Sequence, residues 1–213
     1  MASQPSDRGE RVRPLTGSTD RIRPSVCQGC TFWQTRLGSR PIDRERWIGD
    51  VEHEWGTWGA VYVEDGRHVA SLQYGPAAAF ARAVDMPAGP PSSDAVLVTC
   101  AYLSDPSSPW SLQSLFLACI GEARDRRAPA VEAFAYRYPP EAAFAARFLV
   151  HRTIFPREFL ADFGFYSLRA AGAVELMRLE LGGIVTVDEP ESVLALALRR
   201  TRELVAPPAP APL

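Results

Sequence analysis

The chain has 213 residues, of which 46% are apolar and 23% charged, and its formal net charge is −2. A chain of that length buries roughly 70% of its unfolded surface, and its composition excludes a disordered, collagen-like or disulfide-dense protein. It has no basic excess of the kind a nucleic-acid binder shows and no apolar run of about 18 residues that would span a membrane.

All 23 basic residues are arginine. A Schiff-base lysine is therefore excluded, and so is a phosphate loop that depends on lysine. The pattern predicts a disordered, arginine-rich arm over residues 1–25, without the apolar stretch of a secretory signal, and hence a cytosolic protein with reduced thiols. Residues 26–34 read as extended. Residues 42–54 read as an amphipathic helix, with Trp47, Ile48, Val51 and Trp55 at helical spacing. Two β-rich runs, 58–64 and 67–74, flank Glu64-Asp65-Gly66, a hairpin signal. Residues 77–84 suggest one or two helical turns, and the Pro/Gly/Ser run at 87–93 suggests a loop.

Residues 94–103 are apolar on both faces, as a central strand is. Residues 110–127 then form a helix with Leu112, Leu115, Phe116, Cys119, Ile120 and Ala123 on one stripe, Ser108 as N-cap and Pro109 at the first helical position. Residues 130–136 form the next strand, which completes a βαβ unit. Helices are expected at 142–150, 156–163 and 191–205, and closing strands at 165–168 and 174–181. Residues 26–182 are thus read as the main domain, 183–205 as a helical extension and 206–213 as a Pro/Ala-rich tail.

Cys27-Gln28-Gly29-Cys30 is a lone CxxC. A structural zinc site needs four ligands, and a redox pair normally opens a helix after a strand. Cys27 and Cys30 are therefore read as packed or partly exposed thiols, with metal or redox use as the alternative. Trp33, Trp47, Trp55 and Trp58 are read as core or cleft wall.

The order of elements, together with DAVLVTCAYL before the long helix, then AVEAFAY and FLADFGF, resembles the GNAT superfamily of acyl-CoA-dependent N-acyltransferases. Cys27 to Trp33, Tyr74-Gly75-Pro76 and Val131-Glu132-Ala133-Phe134 resemble a bacterial CxxC-containing subgroup, and the likeness covers about residues 26–181. The resemblance implies an α/β (α+β) fold with a mixed, mostly antiparallel sheet, a splayed parallel strand pair and flanking helices. It also implies acetyl-CoA as co-substrate and a small-molecule or peptide amine as acceptor. Oligomeric state stays open, a homodimer included. By the same resemblance, Leu103, Ser107, Ser108, Trp110 and Ser111 meet the acyl donor, and Gln73 and Tyr74 orient the acceptor.

The segment 104–111 departs from the family's phosphate loop, since it contains no glycine and no arginine. Trp110 is bulky and Pro109 has no N–H, so a scaffold without catalysis is the alternative reading. The tyrosine that usually protonates the leaving thiolate is also missing, because Phe159-Leu160 stands at its place. Tyr102 is the candidate substitute, or else a half-buried strand aromatic. Glu132, an acid inside an apolar strand, is the candidate general base, or else the partner of an arginine.

Overall fold

A computed structural model describes residues 11–104, 108–138 and 153–182. The chain divides into two units, Met1–Gly182 and Gly183–Leu213. The expected helices at 142–150 and 191–205, the arm before residue 11 and the C-terminal tail lie outside the described residues.

Eight strands form one sheet: β1 (Val12–Pro14), β2 (Gly59–Glu64), β3 (Arg67–Pro76), β4 (Val96–Leu103), β5 (Ala130–Tyr136), β6 (Phe155–Pro156), β7 (Tyr166–Ala171) and β8 (Val174–Glu180). The spatial order is β1-β2-β3-β4-β5-β8-β7, with β6 also against β5. The pairs β4–β5 and β5–β6 are parallel and the others antiparallel. This is the mixed α/β sheet expected from the sequence.

Among the described residues the α-helices are α1 (Ser25–Gln28), α2 (Arg44–Trp55), α3 (Pro109–Asp125) and α4 (Arg157–Asp162). Alternation along the strands divides the core in two. On one face Leu72, Tyr74, Val98 and Ala133 pack with Leu112, Leu115 and Phe116 of α3 and with Phe159 and Leu160 of α4. On the other, Val61, Leu97 and Phe134 pack with Trp47, Ile48 and Val51 of α2. Trp33 and Trp58 are fully buried in this second cluster, as core tryptophans.

Local chemistry fixes the ends of these elements. Asp43 caps α2 by accepting from the Arg46 N–H at 3.2 Å, and Gly56 ends it in the left-handed region. Asp65 (φ 49°) and Gly66 (φ 73°) make the two-residue turn between β2 and β3. Both φ values are positive, as a type I′ turn requires.

Two expectations change. Residues 26–34 are not extended: α1 is followed by turns, with Cys30 N–H bonded to the Cys27 carbonyl and Thr35 N–H to that of Thr31. The arm also contributes structure, since Val12–Pro14 adds to β2 and the Leu15 N–H bonds the Gly59 carbonyl at 2.7 Å. β2 has N–H and C=O groups on its outer edge, and β1 satisfies them.

Candidate active site

The central feature is a parting of strands. β4 and β5 are paired only at Val96–Val131, Leu97–Glu132 and Val98–Ala133, although both continue. β3 matches Gln73 to Cys100 and Tyr74 to Val98, so Thr99 is an extra, bulged residue. A bulge raises local twist and bends its strand. β4 therefore turns away from β5 directly after their last shared pair. The far half of β5 takes β6 instead, through Ala135–Phe155 and Tyr136–Pro156. From Thr99 to Leu103, the β5-side edge of β4 has no strand partner among the described residues.

A cavity of about 240 Å³ opens beside that edge. Its walls are Ser71 and Gln73 of β3, Cys100, Ala101 and Tyr102 of β4, Thr153 ahead of β6, and Leu15, Arg23, Val26, Cys27, Cys30 and Phe32 of the leading segment. The Gln73 amide oxygen accepts from the Thr99 hydroxyl at 3.0 Å, which fastens the bulge to the cavity wall. Burial pushes the Cys100 thiol up to about 12, despite nearby Arg23, so it remains protonated at neutral pH.

The candidate residues separate clearly. Gln73 and Tyr102 meet at this cavity; Tyr74 does not. Neighbours along a strand point to opposite faces, and Tyr74 is 2% exposed with its hydroxyl donating to Glu122 of α3 at 2.6 Å. That burial, with Glu122 beside it, holds its phenol far above the ordinary value of 10.0. Tyr74 is thus a core tie between β3 and α3, which corrects its expected contact with the acceptor.

Glu132 is also away from the cavity walls. It is fully buried and accepts from the Ser92 N–H at 2.8 Å, the Ser92 hydroxyl at 2.6 Å and Arg178 at 2.8 Å. Arg178 is its register partner on β8. The alternative reading of an acid paired with an arginine describes this geometry.

At the start of α3, Ser108 sits at the N-cap without a side-chain cap bond. Buried Ser111 donates its hydroxyl to the Ser108 carbonyl at 2.7 Å. Trp110 is 41% exposed and rests edge-on against Tyr62 at 5.0 Å, so it does not fill the cavity. Leu103 is buried in the core on the α3 face. Ser107 lies outside the described residues.

Sequence reasoning missed Arg23, Cys100, Thr153 and His68. The imidazole of His68 is edge-on to Tyr102 at 5.8 Å and shares a 2.8 Å hydrogen bond with the Ser104 hydroxyl through Nδ1. Burial, then the charge of Arg23, pushes it down to about 4. No metal-ligating or triad spacing marks this histidine in the sequence. Cys27 and Cys30 reach the same cavity as Cys100, but no group of three metal-ligating side chains occurs among the described residues.

No protein-family model matches the sequence, and no curated protein is significantly similar to it. Solved structures are similar in outline. The PaiA N-acetyltransferase of Thermoplasma acidophilum, in complex with coenzyme A, aligns over 79% of this chain and 97% of its own, at 11% identity and a TM-score of 0.47. The GNAT domain of S. lividans PAT aligns over 80% and 89%, at 14% identity and a TM-score of 0.46. The ribosomal-protein-S18-alanine N-acetyltransferase of Escherichia coli aligns over 84% and 97%, at 9% identity and a TM-score of 0.44.

Proposed function

We propose that this protein is an acyl-CoA-dependent N-acyltransferase that passes an acyl group, acetyl in the simplest case, to an amine. The observation carrying the reading is the parting of β4 from β5 after Val98, beyond which no described strand pairs with that edge of β4, beside a cavity. A strand edge left without a neighbouring strand presents N–H and C=O groups that can take a partner. An extended chain bearing amide groups satisfies them as an added strand does, and the pantetheine arm of coenzyme A is such a chain.

The chain's own residues fit that donor unevenly. The edge of β4 suits pantetheine. The loop side is less suited: Pro109 has no N–H, and the Ser111 hydroxyl is engaged by the Ser108 carbonyl. Pyrophosphate binding then falls to the remaining backbone N–H groups of the first turn of α3, aided by the helix dipole.

When bound, acetyl-CoA supplies a thioester carbon that an amine can attack. A C–N bond forms, the C–S bond breaks, the amine gives up a proton and the sulfur gains one. Tyr102, the phenol among the cavity-lining residues, is assigned delivery of that proton to sulfur. No carboxylate lines the cavity among its described walls, so the amine's proton is assigned to water at the mouth. In this reading Glu132 has a structural role: it joins the loop at Ser92 to β5 and β8.

Calorimetric titration with acetyl-CoA tests the reading. A saturable signal with a dissociation constant of about 1 μM to 1 mM is expected. Absence of binding throughout that range would overturn it.

A further inference from the structure

Arg23 is a charged residue of the cavity wall that the proposed chemistry leaves unused. Its side chain is 5% exposed, yet it is poorly satisfied. One terminal nitrogen reaches Asp20 at 3.3 Å and the other the Cys27 carbonyl at 3.4 Å, both long for a charged donor. Its Nε finds no acceptor among the described residues.

The charge around it is unbalanced as well. Asp20 is held more closely by Arg44, at 2.7 and 3.0 Å, so two cations share one carboxylate. Both guanidinium groups lie over the Trp58 ring, at 4.9 and 5.2 Å. This leaves a surplus positive charge, sheltered from water, at the edge of a mainly apolar cavity. A buried cation with incomplete partners is costly. The thiol of Cys100 does not offset it, being protonated, and His68 nearby is neutral at pH 7.

We infer that Arg23 is a carboxylate-binding residue and that the acceptor is a small apolar amino acid, its carboxylate held by the guanidinium and its amine directed toward β4. A guanidinium fork matches a carboxylate in shape and charge. The cavity, at about 240 Å³, is below the roughly 300–1,000 Å³ of drug-sized sites and so takes a small molecule. Val26, Phe32 and Leu15 supply apolar contact for the side chain. The amine's role rests on the acyltransferase reading; the carboxylate's rests on the cavity alone.

The test compares leucine and phenylalanine with leucinamide and phenylalaninamide, titrated calorimetrically into the full chain without acyl donor. The amides keep the amine and side chain and remove the negative charge. Each acid is expected to bind at least about tenfold more tightly than its amide. Arg23→Met is expected to bring that ratio close to one, with folding checked by circular dichroism. If that variant does not fold, the wild-type ratio decides by itself. Equal binding of acid and amide, or no binding of either acid up to about 10 mM, would overturn the inference. Acetyl-CoA binding alongside equal ratios would remove only the carboxylate site; selective acid binding without acetyl-CoA binding would remove only the acyltransferase reading.

Discussion

Val98 is the last residue of β4 to pair with β5, through Ala133, and the next residue, Thr99, is the bulged one. The two facts share a cause. A residue unmatched by β3 adds twist to β4 at that point, and the added twist carries the strand away from a straight parallel neighbour. The cavity begins where the pairing stops.

Tyr102→Phe tests the assigned proton donor. We expect turnover to fall by about 10²-fold while acetyl-CoA affinity, measured by calorimetry, changes less than about twofold. Equal losses in affinity and turnover would instead assign the hydroxyl to binding.

Glu132→Gln separates support from catalysis. Arg178 would keep Glu180 but lose its buried partner, which should lower unfolding stability by about 3 kcal/mol in denaturant titrations. Turnover of the folded fraction should stay close to wild type. A large drop in turnover at unchanged stability would restore Glu132 as general base.

Tyr74→Phe removes the hydroxyl that ties β3 to Glu122. A loss of about 1.5 kcal/mol is expected from a hydrogen bond to a charged group, with KM for the acceptor unaltered. A raised KM would return Tyr74 to the acceptor site.

Gly59→Ala should cost at least about 3 kcal/mol. Gly59 has φ 149°, and a Cβ there would lie 2.2 Å from the Leu72 carbonyl oxygen and 2.9 Å from Leu15 Cδ1. Thermal melting of the two proteins measures the difference.

Stability should depend on pH through His68. Unfolded, it takes up a proton near its ordinary 6.5; folded, it resists until about 4. The unfolded chain therefore binds more protons between those values, and stability falls as pH drops through that window. His68→Gln should flatten this part of a denaturation-versus-pH curve. Further loss below about pH 4.5 belongs partly to Glu175. Burial raises the pKa of Glu175, but hydrogen bonds from Arg137, Ser167 and Arg157 outweigh burial and lower it.

Much of this fold is legible residue by residue, because its signals are local. Asp65-Gly66 encodes a turn through backbone freedom, and the stripe from Leu112 to Ala123 encodes α3 through period. The strand over Ala130–Tyr136 is read at its observed bounds. β1 is not legible, because three residues, Val12-Arg13-Pro14, carry no period and gain strand character only beside β2. The site divides similarly. Gln73 and Tyr102 follow from their place on the central strands. Glu132 and Arg178 are 46 positions apart, and their pairing depends on register across β5 and β8. Arg23 looks like one of several arginines in a polar arm, and only burial beside Trp58 sets it apart.

The origin of the cavity walls bears on how such a protein diversifies. Strands β3 and β4 are constrained by pairing along most of their length, whereas the opposite wall comes from one four-residue helix and its turns, fastened mainly by Arg82 to the carbonyls of Phe32 and Thr35 and by Arg36 to Asp85. Exchange of Val26, Cys27 or Phe32 would reshape ligand preference without disturbing the sheet. Evolution can therefore alter what the cavity admits by rewriting a short stretch, while the strands that form its other wall are inherited intact.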